Sequence, residues 1–422
     1  RRFAEDDPAS WPPFLGVPCT IKESLALEGM PYTAGLVSRR GFVAAEDGSA
    51  TARLRQAGFI PLGVTNLSEL GMWMESRNKL YGTTCNPYDP TRTAGGSSGG
   101  EGAAVGSAMA PVGLAADIGG SIRMPAFFNG VFGHKPSARL VPITGQYPEP
   151  ENEARTFLGI GPIARRAEDL YPFLQTIAGP DGVDGDCRPM PLGDPAAVRI
   201  DELTVHHVAD NGFIPAAADL RAAQERAAAY LAQEGADVRP LRIEALRHSF
   251  DIWTAMMNAA ADTPFAVLLG GGRPVRLGPA LLRWATLRSP HTLPALGLVA
   301  TERFTGLLGR RAERMIALGR ELRASLRELL GERGVMLYPP YASPAPRHGL
   351  ALLPPVCWVY TGIVNVMGLP ATQVPLGLNP RGLPLGVQVI ANAGHDHLTL
   401  AVARALERGF GGWVPPPRLQ HR

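Results

Sequence analysis

Residues 93–126 read TAGGSSGGEGAAVGSAMAPVGLAADIGGSIRMPA and are rich in glycine and serine. Glycine and serine at this density usually form a flexible linker. Here, however, apolar segments surround two double-glycine turns, and each turn is followed directly by a serine. Because glycine lets another chain or a substrate approach the backbone closely, we expect two tight turns within a folded core instead of a tether.

The second turn has the pattern of a site that stabilises negative charge on an oxygen atom. Four consecutive backbone N–H groups can converge on one substrate oxygen there, those of Ile118, Gly119, Gly120 and Ser121. In such an oxyanion hole, one donor typically lowers the reaction barrier by about 3 kcal/mol. Ser121 then lies beside the developing charge, where a nucleophile is required.

A serine nucleophile needs a base, and the nine histidines follow no obvious Ser-His-Asp order. Upstream, Lys22 lies in GVPCTIKES, directly after an apolar run that resembles a strand. A lysine buried among apolar groups loses its proton more readily and can then act as a base. Ser97 precedes Ser121 by 24 positions and can relay the proton, because a hydroxyl accepts one hydrogen bond while it donates another.

These residues resemble the amidase signature family, which hydrolyses amides with a Ser-Ser-Lys triad. The resemblance extends from residue 16 to about residue 139, returns at GPIARRAEDL, and closes with GLPATQVPLGLNPRGLPLGVQVIANAGHDHLTLAVARALE. Within the family, GGSSGGEGA is most similar to the fatty acid amide hydrolases; other branches commonly have serine and alanine after the second double glycine, where this chain has Glu101.

Position by position, the resemblance implies roles for the site residues. Ser121 matches the acylated nucleophile, Lys22 the base, and Ser97 the bridging serine, which follows a cis peptide bond in the family. Ser98 matches a neighbour that supports the hydrogen-bond network, and the backbone of residues 118–121 matches the oxyanion hole. No metal or organic cofactor is expected.

Two further groups of residues surround this predicted site. By the resemblance, SELGMWMES at residues 68–76 lines the acyl pocket, with Gly71 and Met72 as substrate-binding residues; packing in the core is the alternative. Asp117 and Arg123 flank the second turn, and we predict a structural ion pair that braces it. The alternative is that Arg123 binds an acidic group of the substrate.

Composition excludes several classes of protein. The 422 residues include 41 basic and 38 acidic side chains, a balance too even for a general nucleic-acid binder. Neither a disulfide framework nor a zinc site is expected from four widely separated cysteines, Cys19, Cys85, Cys187 and Cys357. This usage fits a reducing, cytoplasmic location. The opening RRFAEDDPAS has no apolar region, so we expect no signal peptide there.

Short apolar runs alternate with helix-like patterns along the chain. Strands are predicted at residues 59–64, 203–209, 335–340 and 385–391. Helices are predicted at residues 48–58, 166–179, 217–235 and 398–410. The alternation predicts an α/β fold with a mixed, mostly parallel twisted central sheet covered by helices on both faces. One domain over residues 1–422 is the simplest interpretation, with the signature core at about 16–180 and 335–410.

The segment at about residues 240–330 differs, and we predict a helical cap inserted over the core. From 263 to 301 it has no acidic residue, but it contains four arginines among apolar residues, Arg273, Arg276, Arg283 and Arg288. The alternative is a basic, apolar surface that lies on a membrane. The uncharged run nearby, residues 349–380, is long enough to span a membrane, but its prolines and glycines favour buried strands and turns.

The leading prediction is a serine amidase that cleaves the C–N bond of a hydrophobic, fatty-acyl amide through an acyl-enzyme. Two alternatives stay open. One is a glutaminase-type subunit of a tRNA-dependent amidotransferase, which needs partner subunits and a polar pocket. The other is a catalytically silent binding homologue. Two further interactions stay open: peripheral contact with a membrane, and formation of a homodimer.

Overall fold

A computed structural model describes residues 11–305, 309–353 and 356–420 of the chain. The strands are β1 (Pro18–Lys22), β2 (Ile60–Thr65), β3 (Arg77–Asn78), β4 (Gly82–Thr83), β5 (Val112–Asp117), β6 (Phe132–Lys135), β7 (Gly159–Ala164), β8 (Thr204–His207), β9 (Asp237–Pro240), β10 (Gly334–Tyr338), β11 (Ala371–Leu378) and β12 (Pro384–Ala391). The α-helices are α1 (Ser49–Gln56), α2 (Gly99–Gly106), α3 (Arg123–Phe128), α4 (Leu170–Ile177), α5 (Ala218–Gln233), α6 (Ser249–Ala260), α7 (Phe265–Leu269), α8 (Leu277–Ala285), α9 (Leu293–Thr305), α10 (Gly309–Leu330), α11 (Val359–Met367), α12 (Asp396–Phe410) and α13 (Pro417–Gln420).

Ten of these strands form one mixed sheet in the order β2-β1-β5-β7-β6-β11-β12-β10-β8-β9. Parallel pairing joins β2 to β1 and β1 to β5 at one end, and β10 to β8 and β8 to β9 at the other. The five pairs between these ends are antiparallel. The prediction of an α/β fold with a mixed central sheet is therefore confirmed, with the parallel pairs confined to the two ends.

The predicted strands and helices are present, with ends shifted by a few residues. The four strands predicted from apolar runs are β2, β8, β10 and β12, and the four predicted helices are α1, α4, α5 and α12. In the centre of the sheet, every residue of β5, β7 and β12 is buried. Since successive side chains of a strand point to opposite faces, both faces of these strands are covered.

The middle of the chain is helical, as predicted for the cap, with α6 to α10 following one another there; residues 306–308 lie outside the described part. The uncharged run at 349–380 contains all of α11 and all of β11; its residues 354–355 also lie outside the described part. Across the described ranges, no helix combines the length and apolar character that crossing a membrane requires. The opening ten residues, for which no signal peptide is expected, are likewise not described.

The topology brings distant parts of the chain to one edge of the sheet. Strands β1 and β5 are neighbours and run in parallel, so their carboxyl ends lie side by side. Lys22 is the last residue of β1 and Asp117 the last residue of β5. The loop that follows β5 contains the second double glycine, so the base and the nucleophile predicted from sequence lie on adjacent strand ends.

Candidate active site

Lys22 is buried at the end of β1, with only 3% of its surface exposed. Its Nζ lies 2.7 Å from Ser97 Oγ and 3.2 Å from the carbonyl oxygen of Ala116. Burial lowers the pKa of Lys22 to about 7, although Asp117 and Glu101 both act to raise it. Near neutral pH this amine is therefore poised between its charged and neutral forms.

Glu101, in the first turn of α2, is a second buried ionisable group next to this lysine. Thr20 Oγ1 donates a hydrogen bond of 2.5 Å to its Oε2, and Thr65 Oγ1 one of 2.7 Å to its Oε1. Burial raises the pKa of Glu101 to about 7, while the two threonines and Lys22 oppose that rise. Thr20 shares a strand face with Lys22, because residues two apart in β1 point the same way.

The first double-glycine turn lies between β4 and α2 and holds Ser97 in place. The peptide bond between Gly96 and Ser97 is cis, as the family resemblance implied. A Cβ atom at Gly96 would overlap the carbonyl oxygen of Trp73, so only glycine fits there. Ser98 Oγ donates a hydrogen bond of 3.2 Å to the carbonyl oxygen of Ala116, the same oxygen that Lys22 contacts. Ser98 therefore belongs to the hydrogen-bond network around the lysine.

The segment predicted to line the acyl pocket borders this turn. A Cβ atom at Gly71 would lie 3.6 Å from Ser97 Oγ, in ordinary van der Waals contact. Gly71 and its neighbour Met72 are half-buried. The segment is thus adjacent to the serine, and its contact with a substrate stays a prediction.

The second turn presents Ser121 near the end of the loop that joins β5 to α3. Ser121 is 8% exposed, whereas Ser97 and Ser98 are at most 1% exposed. Gly120 has φ +116°, and a Cβ atom there would overlap Thr361 Oγ1. No other residue fits that position without displacing α11, so the turn requires glycine.

The backbone N–H groups of the second turn are not equivalent. Gly120 N donates 2.7 Å to Asp117 Oδ1, so this N–H, expected from sequence to face the substrate, is already engaged within the protein. Within the described residues, the N–H groups of Ile118, Gly119 and Ser121 have no protein acceptor. Of the four N–H groups that the sequence predicts to face a substrate oxygen, these three therefore remain available.

Asp117 and Arg123 form the ion pair predicted from their positions on either side of the turn. Arg123 Nε donates 3.0 Å to Asp117 Oδ2, and neither side chain is exposed. Burial acts to raise the pKa of Asp117, but the charge and hydrogen bond of Arg123 outweigh burial and hold that pKa well below its usual range. Arg123 also donates to Gln388 and Asn365. Each of its three guanidinium nitrogens donates within the protein and the side chain is fully buried, so the structural ion pair accounts for Arg123 better than contact with an acidic substrate group.

Several residues of this site are not predicted from the sequence. Asn365 and Gln388 lie 242 and 265 positions from Arg123, and their only sequence signal is an amide within an apolar run. Trp253, on α6, donates a hydrogen bond of 3.3 Å from its indole Nε1 to the carbonyl oxygen of Ile118. No local pattern marks this tryptophan, because its partner is 135 positions away.

A family model described as amidase matches residues 4–400 of the chain. Fatty-acid amide hydrolase 2 of Homo sapiens is 44% identical over 415 residues, which cover 96% of this chain and 77% of that protein. A glutamyl-tRNA(Gln) amidotransferase subunit of Cyanothece sp. is 29% identical over 423 residues, which cover 93% of this chain and 84% of that one.

Solved structures have the same architecture. A glutamyl-tRNA(Gln) amidotransferase subunit from Thermotoga maritima matches with a TM-score of 0.80 at 26% identity, over 96% of this chain and 86% of that chain. A structure of 6-aminohexanoate cyclic dimer hydrolase complexed with substrate also gives 0.80 at 26% identity, over 96% and 87%. In sequence and in structure, the likeness covers nearly the whole chain.

Proposed function

This chain belongs to the amidase family and is an amide-bond hydrolase, and on that premise we propose that it hydrolyses hydrophobic, fatty-acyl amides through an acyl-enzyme on Ser121. The observation that carries the proposal is the buried contact of 2.7 Å between Lys22 Nζ and Ser97 Oγ. A base works best when its pKa lies near the working pH, and burial brings the pKa of Lys22 to about 7.

The proposed reaction moves a proton along three side chains. Neutral Lys22 takes the hydroxyl proton of Ser97, and Ser97 takes that of Ser121. Ser121 Oγ then forms a bond to the amide carbonyl carbon, and the carbonyl oxygen becomes an anion held by backbone N–H groups. The C–N bond breaks as the proton returns through Ser97 to the leaving amine. Water cleaves the resulting ester by the same relay and releases the carboxylic acid.

Apolar side chains beside the second turn support a hydrophobic substrate. Trp253 and Trp358 pack edge to face with ring centroids 4.6 Å apart, and both rings lie 3.6 Å from where a Cβ atom of Gly119 would be. Gly71, in the segment that contains Met72, lies next to Ser97. Apolar and thioether side chains accept a flexible hydrocarbon chain well.

For a series of primary amides from acetamide to a long-chain amide, we expect kcat/KM to increase with chain length. Each buried methylene contributes about 0.8 kcal/mol, so the increase is roughly tenfold for every two methylenes until the pocket is filled. Ammonia release measures the rates, with every amide kept below its micelle concentration. A maximum at acetamide or propionamide would rule out the fatty-acyl assignment while leaving the amidase chemistry intact.

The structural likeness to the amidotransferase keeps the glutaminase-type function as the alternative. That function needs a polar pocket for glutamine, whereas the aromatic pair of Trp253 and Trp358 borders the turn here. The same ammonia assay distinguishes the two. Glutamine hydrolysed faster than any long-chain amide would favour the glutaminase-type function.

We propose that a basic, apolar surface of the insert, residues 281–288, lies on an anionic membrane. It comprises the end of α8 and the turn after it, and all eight of its residues are exposed. Leu282 is 69% exposed and Leu287 is 90% exposed, and Arg283 and Arg288 lie beside them. Exposed leucines rimmed by arginines suit the boundary between acyl chains and anionic headgroups. A cytoplasmic location and a homodimer stay predictions from the sequence.

Replacing Leu282 and Leu287 together by glutamate is expected to weaken binding to phosphatidylserine-containing vesicles by about tenfold or more, because each buried leucine contributes roughly 1.5–3 kcal/mol. Vesicle co-sedimentation measures the effect. Met109→Glu is the matched control, since Met109 is 70% exposed outside this surface. Equal binding by the double variant and the wild type would refute the membrane proposal.

A further inference from the structure

We propose that Trp253, a residue of the insert, is a positioning residue that turns the Ile118–Gly119 peptide so that the Gly119 N–H faces the substrate oxygen. The inference rests on the proposed function, because it assigns a task within that reaction. It is carried by one hydrogen bond, 3.3 Å from the indole Nε1 to the carbonyl oxygen of Ile118.

The geometry of a trans peptide links the two ends of this argument. In a planar trans peptide, the carbonyl of one residue and the N–H of the next point in opposite directions. The structure has cis bonds only before Ser97 and Pro148 within its described residues, so the Ile118–Gly119 bond is trans. A donor that holds the Ile118 carbonyl therefore also fixes the direction of the Gly119 N–H, which has no acceptor among the described residues.

The other peptides of the turn are held in the same manner, but from the core. Asn365 Nδ2 donates a hydrogen bond of 2.9 Å to the carbonyl oxygen of Asp117. Met124 N donates one of 2.8 Å to the carbonyl oxygen of Gly120. Thr361 Oγ1 lies 3.0 Å from the carbonyl of Gly119. Trp253 is thus the one member of this set that belongs to the inserted segment.

Packing fixes the indole ring that makes this bond. Trp253 and Trp358 pack edge to face, and Gly119 lies against both rings. One turn of α6 is locked to α10, since a Cβ atom at Gly319 would lie 2.8 Å from both Ile252 and Met256. The ring therefore holds its position through contacts that do not involve its N–H group. A substitution can therefore remove the indole N–H of Trp253 while an aromatic ring stays packed in its place.

The test compares Trp253→Phe with Trp358→Phe in hydrolysis of decanoyl p-nitroanilide. Trp253→Phe keeps an aromatic ring and removes the donor. We expect kcat to fall roughly ten- to thirtyfold, less than the effect of deleting an oxyanion donor outright, with KM changed less than threefold. Trp358→Phe is the control for ring size, because its indole nitrogen has no hydrogen-bond partner among the described residues. We expect a smaller fall in kcat there.

A second readout reports on the oxyanion hole itself. A decyl trifluoromethyl ketone adds to the nucleophile as a tetrahedral oxyanion, so its inhibition constant should rise in Trp253→Phe by the same factor as kcat falls. If Trp253 had a purely structural role, the change in kcat and the change in the inhibition constant would not be equal. Should Trp253→Phe fail to fold, benzothienylalanine at position 253 removes the N–H and keeps the bicyclic ring.

Three results would count against the proposal, and they are distinguishable. If the wild type hydrolyses the anilide and Trp253→Phe matches its kcat, the positioning role is wrong while the amidase function stands. Equal losses in Trp253→Phe and Trp358→Phe, with no change in ketone affinity, assign the effect to packing alone. If the wild type hydrolyses no amide, the proposed function fails and the inference falls with it.

Discussion

Ser121→Ala is expected to reduce amide turnover by about 10⁴-fold or more, because it removes the atom that forms the acyl-enzyme. The neighbouring serines are not expected to replace it. Ser97 and Ser98 are buried to 1% exposure or less, whereas Ser121 is 8% exposed beside three backbone N–H groups that have no acceptor among the described residues. The steady-state rate with a long-chain amide measures the loss, and the melting temperature should stay close to that of the wild type.

A fluorophosphonate probe checks the same assignment independently of substrate. The wild type should be labelled and Ser121→Ala should not. Ser24→Ala is the matched control, since Ser24 is buried near Lys22 but bonds to Gln146, away from the relay. Labelling that persists in Ser121→Ala would move the nucleophile to another residue, and a wild type that is never labelled would favour the silent binding homologue.

Lys22→Met is expected to lower kcat/KM by roughly 10²- to 10⁴-fold at neutral pH, the range that a general base contributes. Methionine keeps the length of the buried side chain and removes the amine. In the wild type, only neutral Lys22 accepts a proton. Burial sets its pKa at about 7, so kcat/KM should rise about tenfold per pH unit below that value and become level above it. A retained wild-type rate in Lys22→Met would contradict the relay.

Glu101→Gln identifies the group responsible for that pH dependence. The Glu101 anion stabilises the ammonium form of Lys22 and so raises its pKa. Removing the charge should lower the pKa of Lys22 and shift the rising limb of kcat/KM to lower pH. Because burial also brings the pKa of Glu101 to about 7, the opposite result is informative. A limb that disappears in Glu101→Gln would show that the carboxyl, and not the lysine, titrates there.

Much of the site could be predicted from the sequence, because its two turns require glycine at particular positions. Two double glycines before serines demand tight turns, and the structure shows why. A side chain at Gly96 would meet the carbonyl of Trp73, and one at Gly120 would meet Thr361. The alternation of apolar runs and amphipathic segments likewise gives the helices and strands, since each depends on its own periodicity.

From the sequence came the prediction of which residues carry the chemistry: one lysine, the paired serines and the glycine turn, in a fixed order along an α/β chain. How these residues are held follows from contacts that form only in the folded chain. The tertiary structure placed Glu101 beside Lys22, bonded the Gly120 N–H to Asp117, and brought Trp253 to the Ile118 carbonyl from 135 positions away. The physical reason is that turn and strand preferences act between near neighbours, whereas a peptide's orientation in a buried site depends on donors that meet it only when distant segments pack together.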